Sequence, residues 1–232
     1  MLRHWFGLDA KWRRVARRVE DNPLGYYYSA PLVDKRLPLE EIECVSMDFE
    51  TTGLDIRRDH IISIGMVTIN RMSISVGSAW RQLISTSQAI PEHSAIVHRI
   101  TDDMAAKGRA VEDVLPQLLE KLRGRVLIAH HARVELGFLN ELTTRIYGYP
   151  VIIPVIDTLQ LAKRHLTRSH QVIQEGMLRL SSLRQQFHLP EYRTHDALSD
   201  ALATAELFLI LANRLYPNGA RLKDVRTNQV GF

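Results

Sequence analysis

At 232 residues and 45% hydrophobic composition, the chain can bury one substantial core, which suits a single α/β domain with a short extension. No run of eighteen apolar residues is present, which excludes a membrane-spanning helix; the one cysteine, Cys44, excludes an intrachain disulfide and makes a reducing compartment the default. The net charge of +4 sits entirely in the first twenty residues, and the remaining 24 basic and 24 acidic residues cancel, so the charge of the body is no argument for nucleic-acid binding.

The opening MLRHWFGLDAKWRRVARRVE lacks the apolar segment and cleavage site of a secretory signal. A cytoplasmic location is expected, although the Arg-rich amphipathic character overlaps with transit peptides. Leu8, Trp12, Val15, Ala16 and Val19 share a helical face ringed by Lys11, Arg13, Arg14, Arg17 and Arg18, with Asp9 as a candidate cap. Such a helix can pack on the domain with a solvated basic face, serve as an arm docking nucleic acid or a protein, or lie on a membrane surface. Pro23, Gly25, Pro31 and Pro38 predict an extended linker over 22–38. The expected division is therefore 1–40 helix and linker, 41–217 globular domain, and 218–232 tail.

From Ile42 the pattern becomes β. Strands are expected over 43–50, 60–70 and 73–83, with the last two joined as a hairpin through Arg71 and Met72. A helix over 111–122 follows a cap region at Asp102-Asp103, then a buried strand over 125–129 and a helix over 133–147 ended by Gly148 and Pro150. A second buried strand over 151–156 leads into a helix from Asp157 through 164. Ser181 or Ser182 opens a short helix to 187, and the longest helix, 197–215, stops at Pro217 and Gly219. A three-stranded meander followed by strands alternating with helices predicts a five-stranded mixed sheet flanked by helices.

The stretch SMDFETTGLD places Asp48 and Glu50 two apart at the end of a buried strand, so both point to one face while Phe49 turns to the other. Carboxylates so close repel unless a cation lies between them, and a hard ion such as Mg²⁺ or Mn²⁺ accepts an oxygen-only site. Alone, the pair also reads as two solvent-facing carboxylates. The later stretch RTHDALSDALATAELF adds His195, placed in the loop before the long helix, and Asp200, facing inward from its first turns. Asp200 can complete a metal shell, and an imidazole titrating near neutrality suits a general base for water.

The segments SMDFETTGLD, VLIAHHARVELGFLNEL and RTHDALSDALATAELF, in this order, resemble the three motifs of the DEDDh 3′–5′ exonucleases, a family that includes the proofreading epsilon subunit of bacterial DNA polymerase III. The likeness spans roughly 42–215, and VHRIT (97–101) resembles a further family segment. It implies a ribonuclease H-like fold, with three antiparallel strands followed by two parallel ones, and hydrolysis at a 3′ end with two divalent cations, Mg²⁺ or Mn²⁺. Asp48, Glu50, His195 and Asp200 match without substitution. The second motif departs: His131 replaces an amide, Val134 an aromatic, and Glu135 an aspartate, moving the carboxylate by about 1.5 Å. Glu135 reads as a functional substitute, with a decayed site as the alternative.

The resemblance further implies that Asp48 bridges two ions, that Glu50 and Asp200 complete the site of the attacking water, that Glu135 supports the second ion, and that His195 takes the water proton. Thr51, Thr52, Gly53 and Leu54 match the turn receiving the terminal nucleotide, with Leu54 as a wedge; Gly53 also reads as a tight-turn residue needing positive φ. His98 matches a histidine near the terminal base, or is structural. His131 and Val134 fall among the substrate contacts, and Asp157 reads as a helix cap. The expected partner is nucleic acid with a free 3′ end, single-stranded DNA ahead of short RNA, with nucleoside 5′-monophosphates as products. A DNA polymerase or another protein is a possible partner through the N-terminal helix. A catalytically weak binding module on the same fold is the alternative function.

Overall fold

The computed structural model describes residues 3–86, 88–192 and 194–227, with side chains from residue 7 onward. Among these, five strands form one sheet: β1 (Cys44–Thr51), β2 (Ile61–Asn70), β3 (Ser73–Leu83), β4 (Val126–Ala129) and β5 (Val155–Asp157). Their order in space is β3-β2-β1-β4-β5. The first three are antiparallel, and β1, β4 and β5 are parallel. This is the expected ribonuclease H-like arrangement. The hairpin at Arg71-Met72 forms as well, with φ of 50° and 56° at the two residues, the left-handed pair that a two-residue connection needs.

The helices are α1 (Arg3–Ala16), α2 (Pro23–Tyr28), α3 (Glu92–His98), α4 (Asp102–Ala106), α5 (Val111–Leu122), α6 (Arg133–Tyr147), α7 (Thr158–Arg168), α8 (Leu180–Gln186), α9 (Ala197–Leu215) and α10 (Leu222–Val225). Alternation along β1 divides the core between the two faces of the sheet. Val45, Met47 and Phe49 join Leu115 and Leu118 of α5 and Leu139 of α6. Cys44 joins Val67, Ile128, Leu161 of α7 and Phe208 of α9 on the opposite face. Ser46 continues that second row, and its hydroxyl donates to the Ala201 carbonyl at 2.7 Å, which fastens β1 to α9. Asp48 and Glu50 come next in the same row.

Gly65 of β2 stands opposite Asp48. A Cβ there would lie 2.1 Å from the backbone of Ala197, so the first turn of α9 reaches the sheet only because this residue lacks a side chain.

Several expectations are corrected. Residues 22–38 are not extended throughout, because α2 forms within them: Asn22 accepts from the amides of Leu24 and Gly25, and Pro23 takes a first-turn position, where its missing N–H costs nothing. Tyr27 and Tyr28 are buried, and their hydroxyls donate to the carbonyls of Ile152 and Pro150. Asp9 does not cap α1 but lies inside it, paired with Arg13 at 2.9 Å. Helices α3 and α4 were not expected. The last strand covers only Val155–Asp157, since Pro154 just before it has no N–H for a ladder. In the 218–232 segment, α10 buries Leu222 and Val225, and Thr227 Oγ1 accepts from the Asp157 amide at 2.8 Å; residues 228–232 lie outside the described residues.

Candidate active site

The site forms where the C-terminal end of β1 meets the turn after β4 and the start of α9. Asp48, Glu50 and Asp200 each offer a carboxylate oxygen, and these atoms lie within 4.8 Å of one another. Glu135, in the first turn of α6, stands beside this trio rather than in it, and is buried. Its backbone entry is set by the His130–Ala132 turn. His131 sits at φ 68° and its amide donates to Asp157 Oδ1 at 3.0 Å. The same oxygen accepts from Leu159 N, so Asp157 caps α7 while bracing the turn. His130 is structural: its ring nitrogens meet Thr158 Oγ1 and the Leu178 carbonyl.

The electrostatics are those of a crowded anionic site. Burial, then the charges of Glu135, Glu50 and Asp200, raises the Asp48 carboxyl well above its ordinary range. Burial, then Asp157 and Glu50, pushes Glu135 up to about 8, and burial with the Glu50 charge lifts Asp200 to about 6 against the opposing His195 amide. Glu50 Oε1 and Glu135 Oε2 are buried without a hydrogen-bond partner in the protein. Buried anions without donors are costly unless a cation faces them. The donor set is all oxygen, which fits hard divalent ions.

His195 lies outside α9, as expected, on an exposed residue at φ 61°. Its amide donates to Asp200 Oδ2 at 2.8 Å, tying the loop to the helix. Across from it, His98 at the end of α3 contacts Glu50 Oε2 through Nδ1, and the two imidazoles meet edge to face at 5.9 Å. Helix α3 is docked by Ser94, whose hydroxyl donates to the Thr51 carbonyl at 3.1 Å.

The Thr51–Leu54 turn is built around Asp59. Thr52 Oγ1 donates to Asp59 Oδ1, Asp55 N donates to Oδ2, and Thr51 Oγ1 donates to the Gly53 carbonyl. Gly53 is not among the residues of positive φ, which corrects the tight-turn alternative. It is constrained instead by space: a Cβ would fall 2.5 Å from the Asp59 carboxylate. Leu54 projects into solvent at 79% exposure. His131, Val134 and Glu135 line a cleft of about 1200 Å³ together with Asp48, His195 and Asp200.

Three supporting features carried no motif. Asp196 caps α9 through Ser199 N and pairs with Arg81 of β3 at 3.1 Å. Arg184 of α8, buried, donates to the carbonyls of Ala203 and Pro190 and pairs with Glu206, which also accepts from Tyr192. This network spans α8, the loop leading to His195, and α9. Gly65 is the third, and a glycine inside an apolar strand was a visible hint of close backbone approach.

The profile of the Exonuclease (RNase_T) family matches residues 45–208. The chain is 37% identical over 171 residues to the DNA polymerase III PolC-type of Thermotoga petrophila, covering 73% of this chain and 12% of that protein. It is 31% identical over 185 residues to the DNA polymerase III subunit epsilon of Treponema pallidum, covering 78% of this chain and 81% of that one. Among solved structures, the nuclease domain of 3′hExo, a DEDDh family member bound to rAMP, superposes with a TM-score of 0.63 at 14% identity, over 75% of this chain and 94% of that one. The chain thus spans about an eighth of the length of the PolC-type relative. By its matched residues and its relatives, this chain belongs to the Exonuclease (RNase_T) family.

Proposed function

We propose that the chain removes nucleotides one at a time from the 3′ ends of single-stranded DNA, releasing nucleoside 5′-monophosphates. The observation that carries this is the convergence of Asp48, Glu50 and Asp200 oxygens within 4.8 Å beside buried Glu135, with His195 at the rim. Asp48, Glu50, Asp200 and Glu135 would hold two divalent cations, Mg²⁺ or Mn²⁺, which when bound supply positive charge for the attacking and leaving oxygens of an in-line displacement. An imidazole nitrogen of His195 accepts the proton of the attacking water. The His195 amide, which donates to Asp200, holds the backbone of that loop beside the acidic group. The Thr51–Leu54 turn receives the terminal sugar and phosphate, with Leu54 against the terminal base and His98, His131 and Val134 at the sides of the cleft.

Names of the relatives favour DNA and a polymerase as partner. The exposed basic side chains of α1 and the turn after it, Lys11, Arg13 and Arg14 with Arg17 and Arg18, form the surface we assign to such a partner. No helix among the described residues is long and apolar enough to cross a membrane, and a cytoplasmic site of action fits this role. RNA is the second substrate, supported by the solved relative bound to rAMP. The test is hydrolysis of 5′-labelled DNA and RNA of one sequence with Mg²⁺, Mn²⁺ or EDTA. The expected outcome is a metal-dependent ladder shortening from the 3′ end, faster on DNA and lost in Asp48→Asn. Equal activity in that variant, or cleavage from the 5′ end, would overturn the proposal.

A further inference from the structure

Beyond the oxygen-only group, the structure brings together a second donor set of different chemistry. Glu50, His98 and His195 each present one ligand atom, and all three lie within 4.8 Å of one another. Two imidazole nitrogens and one carboxylate form a poor site for Mg²⁺, which prefers oxygen and keeps its waters. They suit a borderline ion such as Zn²⁺, which takes imidazole and carboxylate ligands at about 2.0–2.2 Å and commonly leaves a fourth position for water.

We propose that Glu50, His98 and His195 form an inhibitory site for a zinc-class cation. Glu50 Oε2 and His98 Nδ1 are already in contact, so folding alone brings two of the ligands side by side. Glu50 is buried and α3 is pinned to β1 by the Ser94–Thr51 bond, so neither moves far. The third ligand is the adaptable one. His195 is exposed and sits in the loop before α9. Tetrahedral coordination sets ligand atoms about 3.4 Å from one another, so the touching Glu50 and His98 atoms part slightly to admit the ion while rotation of the His195 side chain brings in the third ligand. An ion held there withdraws Glu50 from the oxygen-only group and occupies a nitrogen of His195. Both losses act on the same reaction, so binding and inhibition are coupled without any change of fold. The inhibitory half rests on the proposed exonuclease reaction; the binding half does not.

The test is Zn²⁺ titration of the full chain by calorimetry in excess Mg²⁺, on the wild type, His98→Gln, His195→Gln and Glu135→Gln. Loss of an outer partner already weakens metal sites by about 10–100-fold, so loss of a ligand should cost at least that in each histidine variant. Glu135→Gln should bind Zn²⁺ within a few-fold of the wild type. The two histidines lie in separate segments, so a shared effect is not a folding defect of one loop. Wild-type zinc affinity in both histidine variants, or a loss in Glu135→Gln as large as theirs, would overturn the site. Hydrolysis should stop as Zn²⁺ saturates the wild type; undiminished hydrolysis with zinc bound would refute the inhibitory half. A chain that binds Zn²⁺ as described yet never degrades DNA would refute the exonuclease proposal alone.

Discussion

Gly65→Ala offers a direct test of how the acidic group is assembled. The added Cβ would stand 2.1 Å from the carbonyl carbon and oxygen of Ala197 and 2.2 Å from Leu198 N, all backbone atoms that no rotamer change can clear. Restoring contact from 2.1 Å to the 3.4 Å of ordinary packing requires α9 to retreat by about 1.3 Å. That turn carries Asp200, whose carboxylate also holds the His195 amide, while Asp48 stays on β1 opposite the substituted residue. Overpacking of this kind costs about 1–3 kcal/mol of stability. A displacement near 1 Å at reacting groups costs about 10²-fold in rate. Single-turnover hydrolysis of labelled DNA should therefore slow by about that factor, with a lowered urea midpoint. Gly77→Ala on β3 is the control, since its Cβ would meet nothing within 4 Å. Wild-type rate and stability in Gly65→Ala would refute the claim that close strand–helix approach positions Asp200.

Metal-free protein should lose stability as pH rises from about 4, where an unfolded carboxylate titrates, through the raised values of about 6 for Asp200 and about 8 for Glu135. A carboxylate raised on folding stabilises fully below its unfolded value and loses that contribution as pH climbs through its folded one. Urea midpoints in EDTA at pH 5 to 8 should fall and recover with Mg²⁺ or Mn²⁺; a flat profile would contradict the crowded anionic site. Arg184→Leu should cost about 3 kcal/mol, the low end for breaking a buried pair, because Glu206 remains partly exposed; Arg184→Lys should rescue little, as one ammonium cannot replace the guanidinium fork. Thermal unfolding distinguishes these outcomes. Glu135→Asp should keep measurable hydrolysis but raise the Mn²⁺-to-Mg²⁺ activity ratio, since Mg²⁺ tolerates ligand retraction less. Glu135→Ala should be nearly inactive with either ion, and full activity there would leave Glu135 without a catalytic part.

Much of this protein was legible in the order of its residues. Period-two alternation put Asp48 and Glu50 on one face of β1, and helical spacing with cap residues placed Asp200 inside α9 and His195 outside it. Those features are local, and local steric and hydrophobic rules act within a few residues. Three matched motifs in order then carried the family. What periodicity reports is that a face is buried, not what covers it. The Ser46–Ala201 bond joins residues 155 apart, and Tyr27 reaches Ile152 across 125. The segment around α2 therefore looked like a linker, because Pro23 and Gly25 read as breakers until Asn22 capped the helix and its tyrosines found carbonyls on the body. Only tertiary structure paired His98 with Glu50, set Arg184 under the His195 loop, and made Gly65 and Gly53 necessary for space rather than for backbone angle. Each depends on distances between segments that folding alone brings into contact, and a linear sequence encodes such distances only through the packing of the whole core.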